Sequence, residues 1–107
     1  MALAKIHLPE SARRGELVEV RIILLHAMET GFRKDGAGQR VPRNAVHSLV
    51  CRYAGAEVFR ATLSTGIAAN PFLRFYTRAV ETGDLEFWWI DDDEVEARER
   101  ARLVVTA

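Results

Sequence analysis

Cys51, His7, His26 and His47 are the side chains that could supply a nucleophile, a base or a metal ligand, and they lie far apart in the chain. Cys51 and His47 fall on one face of one strand, four residues apart. At about 3.3 Å per residue that separation is roughly 13 Å, far beyond hydrogen-bond reach, so another strand would have to supply a base. The apolar alternation around Cys51 reads as a buried core thiol, with its pKa raised and its reactivity low. The histidines show no His-x-His, HExxH or Cys-x-x-Cys spacing, so no metal site is written in the sequence. A site assembled across strands stays open, and His26 with Met28 is the pair to examine for it. Asp91-Asp92-Asp93-Glu94 could hold a hard cation, but it lacks the alternating ligands and central glycine of a calcium loop. It reads as a solvated turn between strands, whose acids also discourage edge-to-edge association.

These residues must be positioned by short strands, and the stretch Ala69–Asp93 organises them. In Phe72–Ala79, Phe72, Arg74, Tyr76 and Arg78 share one parity, while Leu73, Phe75, Thr77 and Ala79 share the other. Period-two alternation separates the two faces of a sheet, and the arginines mark the solvent side. In the next strand Leu85, Phe87 and Trp89 face in, and Glu86, Trp88 and Ile90 face out. Six of the nine aromatic residues lie in this pair, which therefore anchors the core. Leu73, Phe75, Phe87 and Trp89 are expected at its centre.

Earlier in the chain, Leu3–Leu8 and Leu17–His26 read as strands separated by a polar turn, Glu10–Gly15. Val18, Val20, Ile22 and Leu24 form the inner face of the longer strand, and the apolar run Ile22–Leu25 predicts partial cover on its outer side too. Ala27–Arg43 is a seventeen-residue loop with a tight turn expected at Asp35-Gly36. A loop that long exceeds the ordinary four to six residues or so and is usually functional. Asn44–Ala54 places Leu49, Cys51 and Tyr53 inward. After a turn at Ala54-Gly55, Glu57–Leu63 places Phe59, Ala61 and Leu63 inward. A second loop, Ser64–Asn70, ends at a break before Pro71. The last strand is Val95–Val105, with Val95, Ala97, Ala101, Leu103 and Val105 inward and Arg98, Arg100 and Arg102 outward. Asp92–Leu103 is also rich in helix formers, so a helix is the rival there.

The turn before Leu85 narrows the class. Gly83-x-Leu85-x-Phe87 resembles the corner before strand F of immunoglobulin-like sandwiches, where a Tyr and a Cys usually occupy the positions of Leu85 and Phe87. The corner hydroxyl bond and the inter-sheet disulfide are thus expected to be missing. The expected fold is all-β: an immunoglobulin-like (E-set type), two-sheet antiparallel β-sandwich of about seven strands, spanning residues 1–107 as one domain. Hydrophobic residues make up 49% of the chain, as in a globular protein. Fifteen basic and fifteen acidic side chains balance, which argues against bulk nucleic-acid binding. One cysteine excludes an internal disulfide. No apolar run reaches about 18 residues, so no transmembrane helix is expected. MALAKIHLPE lacks the apolar core of an export signal, so the chain alone reads as cytoplasmic.

Two outward surfaces and the long loop are candidate contact sites. Trp88 and Ile90, beside Arg98 and Arg100, have the composition of an interface anchor; Phe72 and Tyr76 form a second outward aromatic pair. In the long loop, Phe32 is apolar in a polar setting. Arg33-Lys34, Arg40 and Arg43 could meet an acidic partner, diluted by Glu29 and Asp35.

A wider resemblance rests on His26-x-Met28-Glu29-x-Gly31-x-Arg33-Lys34-Asp35, then Val41-Pro42-Arg43, Ala69-Asn70-Pro71 and Asp91-Asp92-Asp93. In this order, over nearly the whole chain, the motifs resemble the Z subunit of the sulfur-oxidation (Sox) carrier complex. Glu94 stands where a turn glycine is common in that family, and Ala27 where a lysine is common. The resemblance implies a non-catalytic subunit without a cofactor, paired as a heterodimer with a Y-type subunit whose C-terminal cysteine carries sulfur intermediates during thiosulfate oxidation. It implies transient contacts with other sulfur-oxidation enzymes, and work in the periplasm after export with the signal-bearing partner. The residues alone keep two alternatives open: a self-associating sandwich, homodimeric when isolated, and a small metal-binding or redox β-protein using His26, His47 or Cys51.

Overall fold

In the computed structural model, residues 3–64 and 66–107 are described. Residue 65 of the expected Ser64–Asn70 loop, and residues 1 and 2, lie outside them. The strands are β1 Ala4–His7, β2 Ser11–Arg13, β3 Leu17–Leu24, β4 Val46–Tyr53, β5 Ala56–Thr62, β6 Phe72–Arg78, β7 Gly83–Asp91 and β8 Glu96–Thr106. They form two stacked sheets, β1-β3-β6 and β2-β8-β7-β4-β5.

There is one strand more than the sequence suggests. The expected polar turn Glu10–Gly15 contains β2, and β2 pairs with β8 in parallel; every other strand pair is antiparallel. Three residues are too few to show alternation. Only Ala12, buried between exposed Ser11 and Arg13, carries the signal. β1 and β2 join opposite sheets, so the break at Pro9 lets the N-terminal stretch bridge the sandwich.

The alternation of β6, β7 and β8 is as expected. Phe75, Phe87 and Trp89 are buried, and Leu73 packs half-buried against them. Phe59 of β5 stacks on Phe75 across the sandwich at 4.3 Å, and Phe75 meets Phe87 edge-on at 6.2 Å. Burying one such side chain fully contributes about 1.5–3 kcal/mol, so this aromatic column holds the two sheets together. β8 is a strand, not the rival helix, because Ala97, Ala101 and Leu103 alternate with exposed arginines and lie opposite β7. Val95, expected to face in, is 59% exposed. The chain is still turning there: Glu94 holds a left-handed φ of 61°, the conformation that favours glycine.

Two further expectations change at β4. A bulge between Val46 and Ser48 breaks its alternation. Val46 is fully buried and His47 only partly, its Nδ1 lying 3.1 Å from Ser48 Oγ, so the parity that grouped His47 with Cys51 does not hold. At the other end of the strand, Tyr53 supplies the corner bond expected to be missing. Its hydroxyl accepts from the N–H groups of Val80 and Glu81, at 3.0 Å each, and donates to the Glu81 carbonyl. The corner before β7 is thus pinned by a tyrosine from the neighbouring strand. Ala54-Gly55, with φ of 53° and 76°, closes the tight β4–β5 hairpin.

Candidate partner interface

The seventeen-residue loop is an arm that leaves the sandwich where β3 ends and β4 begins. At its root Glu29 and Asn44 exchange backbone bonds of 2.7 and 2.9 Å, and Gly31, at φ 91°, has the Cβ of Arg43 where a side chain of its own would crowd it. Further out Lys34 bridges Arg40, and the turn closes through Asp35, whose carboxylate accepts the N–H groups of Ala37 and Gln39.

Phe32 stands 80% exposed on this arm, with the Arg40 guanidinium 6.0 Å from its ring centre. Arg33 grips Glu29 through two nitrogens, at 3.0 and 2.8 Å, and this bond holds the Glu29 carboxyl below its usual range. Arg43 pairs with Asp92 at 3.2 Å. The basic cluster read from the sequence is therefore partly spent on fixing the arm, and Lys34 and Arg40 are its cations without a salt bridge among the described residues.

The root is fastened by a polar node. The Asp91 carboxylate accepts from the backbone of Asp93 and Val95 on one oxygen, and lies 3.3 Å from His26 Nε2 and 3.4 Å from Asn44 Nδ2 on the other. Burial pushes its carboxyl up, but these bonds, led by the Val95 N–H, outweigh it and hold the pKa below the ordinary value. The acidic run is thus not a solvated turn as expected; its first member is buried and structural. His26 Nδ1 accepts the N–H of Met28 at 3.0 Å, so both ring nitrogens are engaged. Met28 is buried with Sδ 3.3 Å from the Val46 nitrogen. Among the described residues no three His, Cys, Asp or Glu side chains form a group that could hold a metal ion. Cys51 is enclosed in the core, and burial pushes its thiol up to about 12.

The two outward aromatic pairs lie on different sheets. Trp88 and Ile90 are on the outer face of β7, half-buried, with exposed Arg98 directly opposite Trp88. Trp88 Nε1 donates to Glu96 at 2.8 Å. Around Trp88 the charges are matched across strands: Glu86 lies opposite both Arg52 and Arg100, and Glu57 lies opposite Arg52, with Arg60 of its own strand 2.7 Å away. Together these residues line a shallow concavity of about 830 Å³. Ile90 lies at the end where the arm emerges, since its neighbour Asp91 pairs with Val46.

Phe72 and Tyr76 are 54% and 51% exposed, on the outer face of the three-stranded sheet. Register brings to the same face Lys5 and His7 from β1 and Leu17, Arg21 and Ile23 from β3. Nothing in the sequence groups those five as one surface, because only the pairing of β1 with β3 collects them.

Two stacked sheets, a tyrosine-pinned corner and broad outer faces flanking a projecting arm define an immunoglobulin-like β-sandwich. The chain belongs to the family of the sulphur oxidation protein SoxZ, whose model matches residues 6–102. No curated protein sequence is significantly similar to it. Among solved structures it is similar to a superoxide reductase (neelaredoxin) from Ignicoccus hospitalis, at TM-score 0.73 and 17% identity over 98% of this chain and 81% of that one. A putative superoxide reductase from Thermotoga maritima also has TM-score 0.73, at 12% identity over 97% and 86%. The sulfur carrier protein SoxY from Chlorobium limicola f thiosulfatophilum has TM-score 0.67, at 14% identity over 100% and 82%. At such identities the likeness is one of fold.

Proposed function

We propose that this chain is a non-catalytic subunit of the sulfur-carrier complex of thiosulfate oxidation. It forms a heterodimer with a Y-type subunit whose C-terminal cysteine carries the sulfur intermediates, and it meets other sulfur-oxidation enzymes transiently. The observation that carries this reading is the family match over residues 6–102. Two features support it. A carrier needs an accessible thiolate, and the one cysteine here is enclosed with its thiol pushed up to about 12. A carrier protein shares this fold, so pairing of two like-folded subunits is geometrically natural. The working compartment on this reading is the periplasm, reached by export with the partner.

The partner contact is assigned to the outer face of β7 and the arm beside it. A stable complex buries about 1,600 Å² in total, more than one small face provides. Trp88, Ile90 and Arg98 supply an aromatic anchor with a charged rim, and Phe32, Arg33 and Lys34 supply the second contact from the arm. Removing a buried interface anchor costs about 2 kcal/mol or more, roughly thirtyfold in affinity. Titration calorimetry against a Y-type partner should show at least that loss for Trp88→Ala, and a loss for Phe32→Ala, with both variants folded. Unchanged affinity in both variants overturns this placement; absence of any binding by the unaltered chain overturns the heterodimer itself.

A further inference from the structure

The two sheets handle charge in opposite ways. On the five-stranded sheet opposite charges face each other across strands, as in Arg52–Glu86–Arg100. On the outer face of the three-stranded sheet the same geometry opposes like with like. Arg21 lies directly opposite Arg74, and His7 of β1 extends the row on the other side of Arg21, across β1, β3 and β6. Directly opposed like charges destabilise a sheet, so the row costs stability within the chain.

Little on the face offsets it. Lys5, Arg21, Arg74 and Arg78 point outward with the single carboxylate of Glu19 among the outward positions of these strands. Glu19 lies 3.1 Å from Arg21 Nε and also accepts from the Tyr76 hydroxyl at 3.1 Å. Arg78 donates to the Gly15 carbonyl. Lys5 and Arg74 form no salt bridge among the described residues. A chain with formal net charge zero has therefore gathered a local positive excess on one face. Between the cations stand Phe72, Tyr76 and Leu17, all more than half exposed. Arginine with aromatic side chains is the composition enriched at protein–protein contacts.

We propose that this face is a second docking surface, for an acidic stretch of another protein, engaged transiently. Charge complementarity selects the occupant. A second copy docked through this same face, about a two-fold axis on the row, would set Arg21–Arg74 against itself, so charge favours a different, acidic chain. Size sets the lifetime. Three strands about 4.8 Å apart, of four, eight and seven residues, cover only a few hundred square ångströms. A stable complex needs about 800 Å² from each partner, and contacts below that range belong to short-lived encounters steered by charge. The assignment rests on charge and register alone, so it stands or falls separately from the heterodimer.

The test is amide chemical-shift titration of the full chain with a synthetic poly-glutamate peptide. Shifts should centre on His7, Arg21, Arg74 and Tyr76, and affinity should fall by about tenfold or more between low salt and about 0.15 M ionic strength. Arg74→Glu should weaken binding by at least about tenfold, whereas Arg98→Glu, on the other sheet, should not. Both substitutions are exposed, and their spectra report whether the fold is kept. Shifts centred on Lys34 and Arg40 or on the outer face of β7 overturn the assignment, as does an Arg74→Glu variant that binds normally. The same pattern produced by inorganic sulfate at equal concentration also overturns it, in favour of a small-anion site. Arg74→Glu should leave affinity for the Y-type partner unchanged. If it abolishes that affinity, this face is the permanent interface and the second surface does not exist.

Discussion

Cys51 is shut off from chemistry by its surroundings. Its side chain has no exposure, and burial alone lifts its thiol to about 12. At pH 8 about one molecule in ten thousand would hold a thiolate. The folded chain should therefore resist an aromatic disulfide reagent at pH 8 and react as soon as denaturant opens the core. Cys51→Ala should cost about 1 kcal/mol, an ordinary core substitution, and leave the activity of a reconstituted carrier complex intact. A substrate-derived adduct trapped on folded Cys51 would overturn this. The burial of Cys51 was legible, because apolar residues alternate locally around it. The place of His47 was not: a bulge inserts one residue, shifts the parity, and leaves no mark in the residue types. Tyr53 shows the same limit differently. Its inward position could be read from alternation, but the corner it pins lies 28 residues further on.

Among the elements, the turn from β7 into β8 does the most unexpected work. Its carboxylates looked like surface charges, yet Asp91 and Asp92 fasten the arm's root through His26, Arg43, Asn44 and Ala45. The bonds to Asn44 and His26 cross 47 and 65 positions of sequence, so nothing near Asp91 announces them. Glu94 was the local hint, a non-glycine at a position where a glycine is common, and it does take the left-handed φ. Because the bonds favour the charged form, the folded pKa of Asp91 lies below its unfolded value. The stabilisation is fully present above the ordinary carboxylate range, near pH 4, and is lost as pH falls through the folded pKa. Denaturant melts at pH 7 and pH 3 should show this acid loss. Asp91→Asn, which turns an amide toward the His26 and Asn44 donors, should lose roughly 2 kcal/mol at pH 7 and show a shallower acid limb. Equal stability of the two proteins at pH 7 would remove the node from the account of the arm.

The molecule as a whole is long and narrow, 59 × 23 × 21 Å, with a Cα radius of gyration of 16.1 Å. A compact chain of this length would have about 13 Å. Strands of eight to eleven residues span roughly 26–36 Å at 3.3 Å per residue, so connecting segments, of which the arm is the longest, extend the molecule beyond its strands. Replacing residues 33–41 with two glycines should bring the radius from X-ray scattering toward the compact value and keep the β-rich circular dichroism. It should also weaken binding to a Y-type partner; unaltered affinity would confine the contact to the sandwich. The short parallel pair of β2 and β8 bears on a different matter, the order of events in folding. It joins Ser11 to Val104, nearly the full length of the chain. Closing so large a loop costs entropy before the contact repays it, and such contacts slow folding. Until Glu96–Thr106 has been synthesised, β7 presents an open edge that any passing strand can occupy. The five-stranded sheet is therefore incomplete until its last strand is made, when β8 fills the edge of β7 and takes β2 on its other side.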